Sequence, residues 1–216
     1  MKKLNLIGLI ISMFIICNAN AQLTDAKANE TLNKFAAKMK SYANYKIEFV
    51  YTLENKTEKI KQSKKGTATI KGDKYSLNVS GQRIICDGKT VWTYIPDAGE
   101  VQINNVNPND EDALNPGKLF SAYENNYKAK LIKEVKLGNV MTQIIDLTPI
   151  KGKAYFKVRL TLDKTNMQIQ SVEIYNKNGS TYMYKVSKFL SNLKISDAEF
   201  TFKASEFPGV EINDMR

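Results

Sequence analysis

Residues 83–95 decide the fold, and they read Arg-Ile-Ile-Cys-Asp-Gly-Lys-Thr-Val-Trp-Thr-Tyr-Ile. Asp87-Gly88 is a dipeptide that two-residue hairpin turns prefer, because both central positions of such a turn have a positive φ. The residues on either side are mostly β-branched or aromatic, which favours strands. The stretch therefore predicts a β-hairpin.

The strand after this turn carries apolar side chains on both faces. Successive strand residues point to opposite sides of a sheet, so Val91, Thr93 and Ile95 face one way and Trp92 and Tyr94 face the other. Two interpretations fit this pattern. The strand is either buried on both sides in a sandwich core, or it has one face on packed structure and the other on an apolar hollow.

The first 21 residues have the three parts of a secretory signal peptide. Lys2 and Lys3 form the basic start, and Leu6–Ile16 is a short apolar run. Ala19-Asn20-Ala21 is a small-x-small cleavage site, which places the cut before Gln22. We therefore expect an exported, periplasmic protein.

Residues 22–216 are expected to form one exported domain, since they contain no internal repeat, linker or low-complexity segment. The apolar run of the signal is shorter than the roughly 20 residues that a membrane-spanning helix needs. A lipid-anchored start at Cys17 is less favoured, because the bulky Ile16 stands where a lipoprotein signal has a small residue.

The residue types argue against an enzyme. The sequence has no histidine, which excludes histidine-based triads and the usual zinc sites. Cys86 is alone once the signal peptide is removed, so no intramolecular disulfide can form. There is no G-x-S-x-G elbow, and Asp87 and Asp146 fit turn and strand-end roles better than catalytic ones. We expect no catalytic residue, no cofactor and no metal.

The formal net charge of +10 is spread along the chain. One group, in a turn-like region with few aromatic residues, comprises Lys59, Lys61, Lys64 and Lys65. A nucleic-acid site concentrates its charge on one face with stacking residues beside it. We therefore expect no nucleic-acid binding, and instead a basic surface with affinity for acidic lipid headgroups or an acidic partner.

The hydrophobic periodicity predicts two helices and about eleven antiparallel strands. The first helix covers Thr24–Tyr42, and the second covers Gly117–Tyr127 after a polar loop that lacks the spacing of a calcium site. The predicted strands are 45–53, 66–71, 75–79, 83–86, 90–95, 101–106, 129–136, 142–147, 156–162, 169–175 and 181–189, with a last short one at 199–203. Such a meander forms a barrel or a two-sheet sandwich.

Two segments resemble the family of periplasmic lipoprotein carriers called LolA. Residues 86–96, Cys-Asp-Gly-Lys-Thr-Val-Trp-Thr-Tyr-Ile-Pro, resemble the family's S-D-G-K-T-L-W-F-Y-N-P hairpin. The ending, from Phe200-Thr201-Phe202 through Pro208-Gly209-Val210 to Arg216, resembles its F-x-F-x-P-P-x-G-V-x-V-x-D-x-R tail. The order of helices and strands also fits the family over nearly all of residues 22–216.

The resemblance implies a mainly β, single-domain fold, namely an unclosed antiparallel β-barrel whose hydrophobic cavity is covered by helices. It implies a monomeric carrier that takes acylated lipoproteins from an inner-membrane ABC-type release complex to an outer-membrane acceptor. The acyl-chain cavity and its lid would include Leu32, Phe35, Met39, Phe49, Leu77, Trp92, Tyr94, Leu119, Phe120 and Tyr123.

One departure from the family concerns the control of the lid. The family usually has Arg-Pro shortly before a Phe-x-Trp strand, and that arginine helps hold the lid shut. Here Lys71 or Gly72 stands in its place, so Lys71 is the candidate lid latch, with one ammonium instead of arginine's planar fork. Alternative functions are a general periplasmic lipid-binding protein and a lipid-sensing regulatory module of the RseB type.

Overall fold

The computed structural model of the protein describes residues 19–107 and 126–216. Within them, helix α1 spans Ala19–Ser41 and two short 3-10 helices span Asp197–Phe200 and Ala204–Glu206. The strands are β1 Tyr45–Asn55, β2 Ile60–Lys71, β3 Lys74–Val79, β4 Gln82–Cys86, β5 Thr90–Ile95, β6 Glu100–Asn105, β7 Tyr127–Leu137, β8 Val140–Pro149, β9 Tyr155–Asp163, β10 Gln168–Asn176, β11 Ser180–Ser191 and β12 Glu211–Asp214.

All the described strands belong to one unclosed sheet in the order β12-β6-β5-β4-β3-β2-β1-β11-β10-β9-β8-β7. Neighbouring strands are antiparallel except for β12, which runs parallel to β6. β1 lies in the middle, where it pairs with β2 on one side and with β11 on the other. The prediction of a mainly β, unclosed antiparallel fold is confirmed.

The pairing register assigns every strand residue to one of two faces, because directly opposite residues point to the same side. On the face that we call the helix face, Phe49 pairs with Val186 and Leu77 pairs with Ile84. On the second face, Ile85 pairs with Trp92 and Trp92 with Ile103. Helix α1 packs on the helix face, where Phe35 lies in one buried cluster with residues of β7–β10.

The chain after β11 covers the second face over β2–β6. Phe202 stacks on Trp92 with ring centroids 6.2 Å apart, and Phe207 lies 4.8 Å from the ring of Tyr94. Glu206 accepts a hydrogen bond from Arg83 at 2.7 Å. Segment 196–209 is therefore a cover for the half of the sheet on which α1 does not lie.

The Asp87-Gly88 hairpin forms, but its turn differs from the expected one. Gly88 has a φ of +97°, whereas Asp87 is not among the residues with positive φ. The Asp87 carboxylate instead accepts hydrogen bonds from the backbone N–H groups of Lys89 and Thr90, both at 2.8 Å. An aspartate that bonds to the backbone two and three residues ahead closes the turn without a second residue of positive φ.

Two predictions on local structure were wrong. Residues 199–203 are not a strand: Ser196 caps a 3-10 helix at Asp197–Phe200 by accepting a hydrogen bond from the N–H of Ala198, and Phe200 is buried. The last strand is β12 instead. The basic group also lies largely outside a turn, because Lys61, Lys64 and Lys65 belong to β2 and only Lys59 lies in the β1–β2 turn.

The hairpin formed by β1 and β2 is longer than predicted, because a side chain stabilises its turn. Asn55 accepts hydrogen bonds through its side-chain oxygen from the N–H groups of Thr57 and Glu58, both at 3.1 Å. This Asx turn lets β1 and β2 pair as far as Asn55 and Ile60. Of the predicted second helix, Gly117–Tyr127, only the last two positions are described, and the predicted end was wrong because Tyr127 begins β7.

The close contact between Phe49 and Gly66 gives a test of packing. A Cβ placed on Gly66 would lie 2.5 Å from Phe49 Cζ and 2.9 Å from the carbonyl oxygen of Asn78. We expect Gly66→Ala to lower the free energy of unfolding by about 1–3 kcal/mol, because the sheet must shift to make room. Urea unfolding followed by circular dichroism measures this change.

The matched control is Gly152→Ala, since nothing lies within 4 Å of a Cβ at Gly152 and its φ is not positive. That variant should stay within about 0.5 kcal/mol of the wild type. Adding Phe49→Leu to Gly66→Ala should recover part of the loss. Equal stability of the two alanine variants would contradict the packing that we describe.

Candidate functional site

Helix α1 buries its apolar stripe against β7–β10. Ala28, Leu32 and Phe35 are at most 2% exposed and belong to one cluster with strand residues of the helix face. Its strand members are Ala129, Ile145, Leu147, Val158, Leu160, Leu162 and Ile169. This region is closed core, because helix and sheet leave these side chains almost no contact with solvent.

A second apolar cluster continues the helix face beyond the end of α1. Its buried members are Tyr45, Phe49, Ala68 and Ile70. Around them lie apolar side chains that are only half-buried, among them Ile47, Tyr51, Tyr75, Leu77, Val79 and Tyr184. Met39 packs against both clusters. The apolar surface of the sheet is therefore wider than the helix that covers it.

Aromatic rings dominate this second cluster. Tyr184 lies 5.8 Å from the ring of Phe49 and 5.3 Å from that of Tyr51. Burial raises the pKa of Tyr184 to about 12, and burial followed by the neighbouring Cys86 raises the pKa of Tyr75 to about 12. These phenols stay neutral across the physiological pH range, so the surface presents no charge from its tyrosines to an apolar ligand.

The chain holds α1 at both of its ends. Near the start, Lys27 Nζ lies 2.6 Å from Glu134 Oε1 on β7. After the helix, the side-chain amide of Asn44 donates to the carbonyl of Leu193 and its oxygen accepts from the N–H of Leu193, both at 2.9 Å. Asn44 is buried, so these hydrogen bonds are shielded from water. α1 is a fixed cover in this structure.

Glu134 collects three polar partners at that first end. Its carboxylate also accepts hydrogen bonds from Gln143 at 2.8 Å and from Lys164 at 3.0 Å. The Lys27, Gln143 and Lys164 contacts together hold the pKa of Glu134 at about 2. The carboxylate is therefore ionised in the folded protein at neutral pH. Its contacts join α1, β7 and the β9–β10 turn.

The structure separates the residues that were predicted to form one site. Leu32 and Phe35 lie in the closed core, while Met39, Phe49 and Leu77 lie in the second cluster. Trp92 and Tyr94 point to the second face, where they pack against Phe202 and Phe207. Leu119, Phe120 and Tyr123 lie outside the described residues.

Lys71 does not contact the helix that it was predicted to latch. Its Nζ lies 2.7 Å from Asp197 Oδ1, and Lys74 reaches the other carboxylate oxygen at 2.9 Å. Lys71 and then Lys74 hold the pKa of Asp197 at about 2. The reason is register: Lys71 and Lys74 pair across the β2–β3 turn on the second face, opposite to α1.

Sequence reasoning missed part of the second cluster. The alternation of apolar and polar residues in β11 predicts that Tyr182, Tyr184 and Val186 share a face. Nothing in that pattern shows that this face meets Phe49 and Tyr51 of β1, because the two strands are far apart in sequence. The aromatic contacts of Phe202 and Phe207 were missed for the same reason.

The acidic residues Asp87 and Asp146, which were weighed as catalytic candidates, hold local structure in the described residues. No group of three or more histidine, cysteine, aspartate or glutamate residues in 19–107 and 126–216 could hold a metal ion. Asp87 serves its turn, and Asp146 accepts hydrogen bonds from Arg159 Nε and Nη2 at 2.7 and 2.9 Å. In the same ranges, no helix has the length and apolarity to cross a membrane.

A cavity with a mixed wall of polar and apolar groups opens on the second face over β1–β3. It has a volume of about 460 Å³, and its wall includes Glu48, Lys65, Thr67 and Asn78 above the floor at Gly66. Charged and amide groups on the wall do not suit an acyl chain. The apolar surface of the helix face is therefore the candidate binding site.

The architecture defines the class of the protein: an open, β-barrel-like sheet with a helix over part of one apolar face. The family model described as "Outer membrane lipoprotein carrier protein LolA" matches residues 40–203. The chain belongs to the LolA family, whose members are carrier or binding proteins.

Solved structures from Thermus thermophilus and Desulfovibrio piger share the fold at low sequence identity. An uncharacterised conserved protein from Thermus thermophilus is 12% identical, with a TM-score of 0.58 over 87% of this chain and 99% of that one. A DUF1329 family protein from Desulfovibrio piger is 13% identical, with a TM-score of 0.50 over 85% and 99%. A LolA superfamily protein from Nitrosomonas europaea is 14% identical, with a TM-score of 0.44 over 81% and 97%. No curated protein matches the chain.

The anchor at Glu134 predicts a dependence of stability on pH. The pKa of Glu134 is lower in the folded state than its ordinary value of 4.5. The ionised carboxylate therefore stabilises the fold above pH 4.5, and this stabilisation is lost as the pH falls through about 2. Glu134→Gln should cost up to about 1 kcal/mol at pH 7 and clearly less at pH 2.5, where a carboxylate with a folded-state pKa of about 2 has lost most but not all of its stabilising effect. Urea unfolding at the two pH values measures the difference.

The control for that experiment is Glu30→Gln. Glu30 is an exposed residue of α1 that pairs only with Lys34 of the same helix in the described contacts. Because this pair is solvent-exposed, Glu30→Gln should change stability at pH 7 much less than Glu134→Gln does. A Glu134→Gln variant with the same loss at both pH values would show that the carboxylate charge does not anchor the helix.

Proposed function

We propose that the protein is a periplasmic carrier that binds the acyl chains of lipoproteins on the second apolar cluster of the helix face. Residues 1–21 would be the signal peptide that exports it. The carrier would receive lipoproteins from an inner-membrane ABC-type release complex and deliver them to an outer-membrane acceptor. Membership of the LolA family supports this function, and the observation that carries it is the half-buried apolar surface beside α1.

The chemistry of this surface suits a reversible ligand. Each methylene removed from water contributes roughly 0.8 kcal/mol, so complete enclosure of two or three long acyl chains would prevent release. The second cluster instead offers half-buried Leu77, Val79 and Tyr51 beside the buried Phe49. Partial burial limits the gain in free energy, and the flexible Met39 at the edge of α1 can adapt to chains of different shape.

The hydrogen bonds at both ends of α1 bear on how cargo would enter. A helix fixed by Glu134 at one end and by Asn44 at the other does not have to leave the sheet for a chain to reach Leu77. The acyl chains would lie next to α1, along β1–β4, with Met39 at the boundary. In this proposal Lys71 does not control entry, since it holds segment 196–209 on the other face.

Two neighbouring residues of β3 test the choice of face. Leu77 is half-buried on the helix face, whereas Asn78 is exposed on the second face. We expect Leu77→Glu to reduce the binding of a fluorescent acyl-chain probe at least tenfold, because a charge in an apolar surface is costly to desolvate. Asn78→Glu should bind the probe as the wild type does.

Circular dichroism and thermal unfolding establish that both variants are folded before binding is compared. If Leu77→Glu does not fold, Ile84→Gln on the neighbouring strand replaces it, since Ile84 pairs with Leu77 and is half-buried. Phe35 is unsuitable for this test because it is 0% exposed in the closed core, so its removal would destabilise the fold by about 3–5 kcal/mol. Equal probe binding by the Leu77 and Asn78 variants would refute the proposed site.

The nature of the cargo is tested on the protein purified from the periplasm of its own source. Mass spectrometry of whatever is bound should find acylated lipoprotein if the carrier proposal is right. Free fatty acid or phospholipid alone would contradict a lipoprotein carrier and favour a general lipid-binding protein. A stable complex with a regulatory protein instead of lipoprotein would favour a lipid-sensing module.

A further inference from the structure

One end of the sheet brings together four segments that are distant in sequence. The N–H of Ile150 donates to the carbonyl of Asn126, and the N–H of Lys177 donates to the carbonyl of Ala154. Asn55 donates to Ser180 at 3.2 Å. The start of β7, the β8–β9 loop, the β10–β11 turn and the β1–β2 turn therefore lie side by side.

Two large apolar residues are exposed at this end. Ile150, in the β8–β9 loop, is 53% exposed and Phe156, at the start of β9, is 51% exposed. A β-bulge explains the position of Phe156: Tyr155 pairs with Asn176 and Lys157 with Tyr175, which leaves Phe156 as the extra residue. Bulges re-aim side chains and often mark functional positions.

The bulge places Phe156 beside an aromatic and a cationic group. The rings of Phe156 and Tyr175 lie 6.2 Å apart, and Lys157 Nζ lies 3.9 Å from the centre of the Tyr175 ring. The Tyr175 hydroxyl donates to Glu173 at 2.7 Å. Segment 196–209, which covers the second face over β2–β6, does not extend to this part of the sheet in the described contacts.

Lysines surround these apolar side chains. Lys128 and Lys130 of β7 and Lys177 of the β10–β11 turn are exposed, and Lys56 and Lys59 occupy the neighbouring β1–β2 turn. Lys151 and Lys153 of the β8–β9 loop add positive charge, although both also make contacts within the protein. The acidic residues of the β1–β2 hairpin tip are Glu54 and Glu58, so positive charge predominates.

We infer that this end patch, formed by Ile150, Phe156, Tyr175 and the surrounding lysines Lys128, Lys157 and Lys177, docks the protein on an anionic lipid bilayer. Aromatic and aliphatic side chains enter the region between headgroups and acyl chains, while lysines bind lipid phosphates. An acidic protein surface would match the charge but would leave Ile150 and Phe156 without apolar partners. The bilayer satisfies both.

The site differs from the proposed cargo surface. Phe156 and Tyr175 lie on the second face at the end of β9 and β10, whereas Leu77 and Phe49 lie on the helix face of β3 and β1. Docking through the end patch would leave the helix face unobstructed while the protein is at a membrane. The inference does not depend on the proposed cargo.

The apolar part of the patch is tested by vesicle sedimentation. Vesicles of phosphatidylethanolamine with phosphatidylglycerol should bind the wild-type protein, and Ile150→Ser/Phe156→Ser should weaken that binding at least tenfold. The matched control is Ile212→Ser/Met215→Ser, because these residues are 50% and 48% exposed but lie beside Glu211 and Asp214. The control should bind within twofold of the wild type.

The charged part is tested with the same vesicles. Lys128→Gln and Lys177→Gln should each weaken binding by roughly fivefold, as expected for a lysine at an anionic membrane surface, and added salt should reduce the difference. Lys89→Gln/Lys194→Gln, two exposed lysines outside the patch, is the control. Leu77→Glu should bind vesicles as the wild type does, which separates docking from cargo binding.

Several results would overturn the inference. One is an equal loss of vesicle binding in the patch variants and their controls. Another is equal binding to vesicles of neutral phosphatidylcholine and to anionic vesicles. Binding of an acidic protein through the lysines, with no vesicle binding by the wild type, would identify the patch as a protein interface instead.

Discussion

The pairing of β1 with β11 is the constraint on which the rest of the structure depends. The two strands pair from Tyr45 with Ser191 to Asn55 with Ser180, and this pairing joins the β2–β6 half of the sheet to the β7–β11 half. It also carries a bulge at Glu48/Phe49, where Ser187 donates to the carbonyl of Glu48 at 3.0 Å. Contacts this distant in sequence are costly to form because a long loop must close. Once they form, both apolar clusters lie on one face.

The consequence for α1 follows from that junction. The helix precedes β1 directly, and Asn44 hydrogen-bonds to Leu193 beyond the end of β11. The C-terminal end of the helix must therefore lie at the middle of the sheet, and its apolar stripe crosses β7–β10, where Glu134 contacts Lys27 in the N-terminal half of the helix. One helix can cover only part of a sheet this wide. The apolar side chains that it leaves half-buried around Phe49 are the basis of the functional proposal, and segment 196–209 covers the opposite face.

Local patterns predicted much of this architecture. Alternation located most strands, the apolar stripe located α1, and the Asp87-Gly88 dipeptide located its hairpin, although the turn relies on the Asp87 carboxylate rather than on two positive φ angles. The errors arose where a side chain changed the local outcome. Asn55 stabilises the β1–β2 turn and extends β2 through Lys61, Lys64 and Lys65, and Ser196 caps a 3-10 helix where a strand was predicted. The Ser196 cap competes with strand pairing, whereas the Asn55 turn lengthens it.

The sequence by itself determined which residues share a side of each strand. It also determined the absence of histidine chemistry and the resemblance to the LolA family. Only the tertiary structure decided which side of each strand belongs to the helix face and which belongs to the second face. Alternation says that Trp92 and Tyr94 share a face, but the choice of face depends on Phe202 and Phe207, more than one hundred residues away. The same holds for Lys71, whose partner Asp197 belongs to the covering segment rather than to α1. The physical reason is that a period of two defines faces only relative to one another, and long-range packing assigns them.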